Sequence, residues 1–447
     1  MTLGAASAVG TARTSSRYSA YMMVLLTSAF ALNLLDRQIL NVLAEPIKRD
    51  LHLADWQLGA LTGLSFALLH SVAALPIARL ADRSDRVRII GIAILAWSLF
   101  TAACGAAANF MQLLLLRVGV GIGEAGCQPP SQSLIVDHYP PEKRSGALGK
   151  FGLGKPVGAA IGLAAGGILA EAVGWRWTLV IAAAPGLLIG LLVLFTLKDP
   201  RQGASAPRRE LQRPLGVVLR ELGRRRSFDL FMLGIALLAF MSYGSNAFAA
   251  SFYLRVHGED IERIGKVIGV GPLAVIGLCM GLIGAAAGAI GSYLGGRLGD
   301  AWGARDVRAL AWIPAIGAAL GACAYLAMYT VPSGGLSLLL YMAPAFLNNV
   351  WNGPAMLAVQ NLAGARARAT AIALVLFVGS SLGMGFGPLM IGAMSDIFAG
   401  SLGEGEGLRL AIVLVAAVDL LAAACFWLAS RSIAGDLAEV AREEAEA

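Results

Sequence analysis

Twelve apolar stretches, each close to the length that carries a helix through hydrocarbon, dominate this sequence. They fall at 18–42, 56–80, 88–108, 110–132, 146–170, 177–197, 228–254, 265–295, 307–328, 336–360, 368–394 and 408–430. About 20 such residues suffice for one crossing. Within lipid the backbone must satisfy its own hydrogen bonds, so each stretch is expected to be helical. The rest of the composition agrees. Of 447 residues, 57% are apolar and 14% are charged. That is too little charge to cover a soluble globule of this size, and far too little for a disordered chain. The expected fold class is an all-α membrane protein with twelve transmembrane helices.

Charge in the connecting segments sets the orientation. The termini and the loops after spans 2, 4, 6, 8 and 10 hold 24 of the 35 basic residues, and the opposite loops hold 7. By the positive-inside rule both termini lie in the cytoplasm. Arg13 and Arg17 precede span 1, but the apolar stretch is too long for a signal peptide, so it reads as an uncleaved first helix. The longest polar stretch, 198–227, carries nine basic and three acidic residues. It divides the chain into a six-helix bundle at 1–197, a basic cytoplasmic linker at 198–227, a second six-helix bundle at 228–430 and a cytoplasmic tail at 431–447. The net charge of +7 is spread over short loops, which does not suit a nucleic-acid surface. The five cysteines lie singly in apolar stretches without metal-ligand spacing.

The two halves resemble each other. ARLADRSDR from Ala78 pairs with GRLGDAWGAR from Gly296, which sets Asp82 against Asp300. A second match sets Pro130 against Pro354 and Arg144 against Arg368, at nearly the same spacing. Parallel repeats of this kind build two bundles with a site between them near the midplane.

Several charges sit where charge is costly. Asp36 and Arg37 lie in span 1, Arg117 and Glu124 in span 4. Each costs on the order of 2.5–3.5 kcal/mol at the bilayer centre, roughly 10–14 kcal/mol together if all met lipid. They must face a polar interior or one another. Arg117 and Glu124 are seven residues apart, so they share a helix face about two turns apart. Two acids and two bases from spans 1 and 4 are expected to form one network, a static ion-pair cluster or a proton and substrate relay. His70 in span 2 is a further protonatable group. The GxGxxG at Gly121, Gly123 and Gly126 lies inside a membrane helix and is read as close helix packing, not as a dinucleotide fingerprint.

The loop after span 2, ARLADRSDRVR, resembles the signature loop of the major facilitator superfamily, with Ala78 and Asp85 in place of two glycines. Span 4 is similar to that superfamily's RxxxGxGxA pattern at Arg117, Gly121, Gly123 and Ala125. Asp-Arg on span 1, GIGEA on span 4, SQSLIVDHYPPEKRS after it and GFGPLMIGAMSD on span 11 resemble the spinster family of lipid transporters. The resemblance implies the major facilitator fold of two pseudo-symmetric six-helix bundles, alternating access, and a place in a bacterial inner membrane. It also implies proton coupling by Glu124 with Arg117, and with Asp36 and Arg37 as span 1 partners. Asp82, Arg83 and Arg86, with Asp300 and Arg305 in the second half, are then expected to form a conformational latch.

The second half is read as having no charge deep in a span. Its candidate substrate contacts are Tyr243 and Asn246 on span 7, Asn348 and Asn352 on span 10, and Ser381 on span 11. Lys155 beside Pro156 on span 5 either faces the cavity or snorkels toward the cytoplasm. With Arg37, Arg117 and Glu124 these would hold an amphipathic single-chain lipid, a lysophospholipid or a sphingosine 1-phosphate-like molecule. A small water-soluble organic anion, such as a sugar acid, is the rival substrate for the same residues. No metal pair, nucleophile elbow or phosphate loop suggests an enzyme, and no cofactor is called for. The expected partners are the substrate, protons and the membrane. The sequence is compatible with a monomer and does not fix the oligomeric state.

Overall fold

The computed structural model describes residues 16–200, 215–364 and 367–445, without the side chains of some helical positions. It is helical in all twelve expected stretches, with no strand among the described residues. Nine helices among the described residues are long and apolar enough to cross a membrane. One of them, Gly146–Thr196, is 51 residues long, more than twice the need of one crossing. Gly174, at φ 77°, breaks it. Glycine adopts that conformation without the clash a Cβ would cause. The break at Gly174 falls between the stretches 146–170 and 177–197 that the sequence separates.

Span 8 begins at Pro272 instead of 265. The stretch before it forms a separate helix, Gly258–Ile268, ended by Gly269 in the left-handed conformation. Pro272 then opens the next helix, where its missing N–H is no loss. Span 10 is built from three pieces, Gly334–Leu340, Met342–Val350 and Asn352–Ala363.

Within the first bundle, the helix Ser16–Leu51 packs along span 5, and Phe30 stacks on Phe151 at 4.8 Å. In the second, span 7 packs along span 12, with Phe231 edge-on to Phe426 at 5.6 Å. The bundles meet along two seams, where backbones touch. Where span 5 crosses span 8, a Cβ on Gly277 would lie 2.1 Å from the Leu163 carbonyl oxygen. Where span 2 crosses span 11, a Cβ on Gly59 would lie 2.3 Å from the Pro388 carbonyl oxygen. Any larger residue would wedge these seams apart.

The second seam carries two π-helical segments, Ala60–Leu64 and Gly379–Phe386, packed against each other. Such segments are frequent at functional sites, where they open the regular backbone ladder. Here they lie level with the charged residues of span 1, since Met384 touches Arg37.

Candidate functional site

The four intramembrane charges do come together, in a crossed arrangement. Arg37 on span 1 donates to Glu124 through Nε at 2.9 Å and pairs again through a terminal nitrogen at 2.8 Å. Arg117 donates to Asp36 at 3.2 Å. Glu124 thus takes its arginine from span 1, whereas the resemblance gave it Arg117. The geometry explains the exchange. Two helical turns separate Arg117 from Glu124, roughly 10 Å, too far for direct contact. Asp36 and Arg37 are consecutive and point in different directions, so each reaches a different level of span 4.

Asp36, Arg117 and Glu124 are buried, while the Arg37 side chain is 22% exposed. One oxygen of each acid, Oδ1 of Asp36 and Oε1 of Glu124, has no hydrogen-bond donor among the described residues. A small cavity beside the pair is lined by Asn33, Arg37, His70, Glu124, Cys127 and Gln128. His70 Nδ1 lies 3.2 Å from the Gly121 carbonyl oxygen, which fixes its ring over span 4. Arg37 also reaches across the bundle interface to the Met384 sulfur, at 4.0 Å. The cluster belongs to one bundle and borders the other.

The remaining candidates are dispersed. Asn348 donates to the Tyr325 hydroxyl at 2.7 Å. Asn246 Oδ1 and Ser381 Oγ are buried without a partner among the described residues. Tyr243, Asn352 and Lys155 are exposed. Of the latch residues, the side chains of Asp82 and Arg83 lie outside the described residues. Asp300 and Arg305 are exposed. Arg86 is buried and holds its own bundle together. It binds Asp199 just after span 6 at 2.9 Å and Asp137 at 2.7 Å.

A second ionic cluster was not foreseen. It joins the bundles at the end of the molecule where span 1 finishes. Arg255, at the end of span 7, binds both Asp55 oxygens at 2.8 Å and pairs with Glu45 at 2.7 Å. Lys48 reaches Asp55 at 2.9 Å, and Ser395 donates to it at 2.6 Å. Burial alone would raise the Asp55 carboxyl. The hydrogen bonds and charge of Arg255, with Ser395 and Lys48, outweigh that and bring it down to about 2.

Two carboxylates complete this closure by capping helices of the opposite bundle. Asp396 of span 11 accepts from the backbone N–H groups of Asp55 and Trp56, at 2.9 and 2.8 Å. Glu171 of span 5 accepts from Leu273 and Ala274 at the start of span 8, at 2.6 and 3.2 Å. A carboxylate there meets the positive end of the helix dipole. The two caps are repeats of each other. Leu273 falls on Asp55 in the register that aligns Asp300 with Asp82. Asp396 follows Glu171 by the spacing that separates Pro354 from Pro130, within one residue. Sequence reasoning counted the basic members of this cluster as loop charges. The signal available was the position of Glu171 and Asp396 in matching places of the repeat.

One more residue corrects the reading of the second half as free of deep charge. Asp419 lies within span 12, in the first turn of the helix Val418–Ala445, and is fully buried. A single acid among leucines and alanines does not disturb the apolar signal of its stretch.

Residues 26–388 match the Major Facilitator Superfamily model. The chain belongs to the major facilitator superfamily. As a member of it, the protein is a membrane transporter with the fold described above. It is 32% identical, over 92% of each chain, to an MFS-type efflux pump of Mycolicibacterium smegmatis. It is 28% identical to the protein spinster homolog 1 of Bos taurus, over 92% of this chain and 80% of that one. A solved bacterial homologue of the human lysosomal transporter spinster, in an inward-facing and unoccupied conformation, superposes with a TM-score of 0.84 at 32% identity. That match covers 95% of this chain and 99% of the other.

Proposed function

We propose that this superfamily member moves an amphipathic single-chain lipid, anionic or zwitterionic in its head, by proton-coupled alternating access. The observation that carries the reading is the crossed pair of ion bridges, with Arg37 at the boundary between bundles. Intramembrane acids of this kind mark proton and substrate pathways. Protonation of Glu124 removes the negative charge that holds Arg37. The released guanidinium is then available to a phosphate or carboxylate head, which it can bind through two parallel bonds. Arg117 stays with Asp36 and keeps the rest of the site neutral. With the termini in the cytoplasm of a bacterial inner membrane, the closed end of the molecule faces outward. The likeness to spinster proteins supports the lipid as substrate.

The latch reading is retained for Asp82 and Arg83, with Asp300 and Arg305 as its counterpart. Arg86 anchors the loop that carries it. Asn246, Asn348, Asn352, Tyr243, Ser381 and Lys155 are proposed to complete the cavity around the head.

The test is flux of a fluorescent lysophospholipid in proteoliposomes under an imposed pH gradient, with mass spectrometry of lipids retained by the purified protein. Co-purified single-chain lipid and gradient-driven flux that Glu124→Gln abolishes are expected. Absence of such lipid, together with inhibition by sugar acids of pH-driven uptake, would replace the lipid with a small organic anion. Normal driven flux in Glu124→Gln would remove Glu124 from the coupling.

A further inference from the structure

Asp419 is used by nothing described so far. It is 0% exposed, and neither carboxyl oxygen has a hydrogen-bond partner among the described residues. Its helix, Val418–Ala445, packs against span 7, span 9, the first segment of span 12 and the last piece of span 10. Span 9 presents Gly321 and Tyr325 to it, four residues apart on one helix face. A Cβ on Gly321 would lie 3.6 Å from Asp419 Oδ2, so the glycine leaves room for the carboxyl. Tyr325 is the titratable group on that face. Among the described residues, no hydrogen bond reaches either oxygen of Asp419.

A carboxylate in that position has neither counter-charge nor donor, the most costly state for a buried acid. Two occupants can neutralise it, a metal cation or a proton. A hard cation needs about six oxygen ligands. No group of three His, Cys, Asp or Glu that could hold a metal occurs among the described residues. The fold does not require an acid here either. The register that aligns Pro354 with Pro130 places Phe195 at the matching point of span 6.

We propose that Asp419 is a second proton-binding site, held by the second bundle and linked through Tyr325 to Asn348, one of the residues proposed above to surround the substrate head. The carboxylate takes up one proton and makes no other new bond. Asn348 donates to the Tyr325 oxygen at 2.7 Å, and that bond does not use the phenol hydrogen. Loss of the proton from Asp419 would draw that hydrogen toward it and alter how Asn348 presents its amide to the cavity. Each bundle then carries one proton site, and the second acts independently of the role given to Glu124.

The experiment is infrared spectroscopy of the full-length protein in lipid nanodiscs, read at the protonated-carboxyl stretch in mildly alkaline buffer. The wild-type protein is expected to show a band that Asp419→Asn lacks and Glu124→Gln retains. Tyr325→Phe should displace that band. Superimposable wild-type and Asp419→Asn spectra would overturn the proposal. Where Asp419→Asn fails to fold, Asp419→Glu serves. A band shifted from the wild-type position supports the assignment, and an unmoved one overturns it. Loss of the band in Glu124→Gln alone would assign it to the first bundle and equally overturn the proposal.

Discussion

Two clusters of buried charge in this molecule have nearly the same composition and opposite placement. The inner one joins Asp36 and Glu124 to Arg117 and Arg37 within the first bundle. The outer one joins Glu45 and Asp55 to Arg255 and Lys48 across the two bundles. In the inner cluster each acid keeps one oxygen without a donor. In the outer cluster both oxygens of Asp55 are engaged. Ion pairs confined to one bundle survive a rocking motion of the two, and a half-used acid can exchange a proton. Ion pairs that span the interface must break when that end opens. On the proposed function, nearly the same chemistry serves coupling in one place and closure in the other, and position relative to the bundle interface decides which.

The largest effect should come from breaking the inner cluster by charge deletion. Arg117→Ala leaves Asp36 buried without its cation, a change that typically costs about 3–5 kcal/mol. Thermal unfolding of the purified protein should show that loss, and flux should fail with it. Neutralising both partners in Arg117→Gln with Asp36→Asn should recover most of the stability. A double variant as unstable as the single one would mean that the pair is not the source of the cost.

Arg255→Ala should come next, with a different signature. Truncating one member of a buried, hydrogen-bonded charge pair costs about 2 kcal/mol or more, roughly a thirtyfold shift in an equilibrium. Lys48 remains beside Asp55, so the lower figure is the appropriate one. The shift should appear as a change of conformation. Spin labels on either side of the closed end should report a longer distance in Arg255→Ala than in the wild type. An unchanged distance distribution would remove this cluster from the closure and leave the two carboxylate caps to hold it.

Glu124→Gln should perturb folding least among the charge changes. The amide oxygen still accepts from Arg37, and the site loses charge without losing shape. Stability within about 1 kcal/mol of the wild type is expected, with pH-driven flux lost and binding of a fluorescent lysophospholipid kept.

Much of this architecture could be read before any coordinates. Apolar stretches of membrane length gave the helices, and the matched pairs Asp82–Asp300 and Arg144–Arg368 gave the duplication. The four inner charges stood out because charge inside such stretches is costly. Their pairing was hidden, because sequence spacing places Arg117 and Glu124 on one face but says nothing of the height at which span 1 crosses. The outer cluster was hidden for another reason. Glu45, Asp55 and Arg255 lie where helices leave the membrane, and charge there is unremarkable until the two bundles are brought together. Asp419 escaped because one acid scarcely changes the hydropathy of its stretch.

The smallest effect sharpens the comparison most. Asp55 is held at about 2, below its ordinary 3.8. A depressed carboxyl contributes stability that is present above the ordinary value and is lost as pH falls through the depressed one. The Asp55 contribution to the outer cluster should therefore be constant over about pH 5–8, the range in which a proton-coupled site must respond, and weaken only between 3.8 and about 2. Distances across the closed end, measured in Glu124→Gln combined with Asp419→Asn to silence both proposed proton sites, should accordingly stay fixed through that physiological range. Opening of that double variant on mild acidification would mean that the outer cluster senses protons itself, and the division between a coupling site and a closing site would fail.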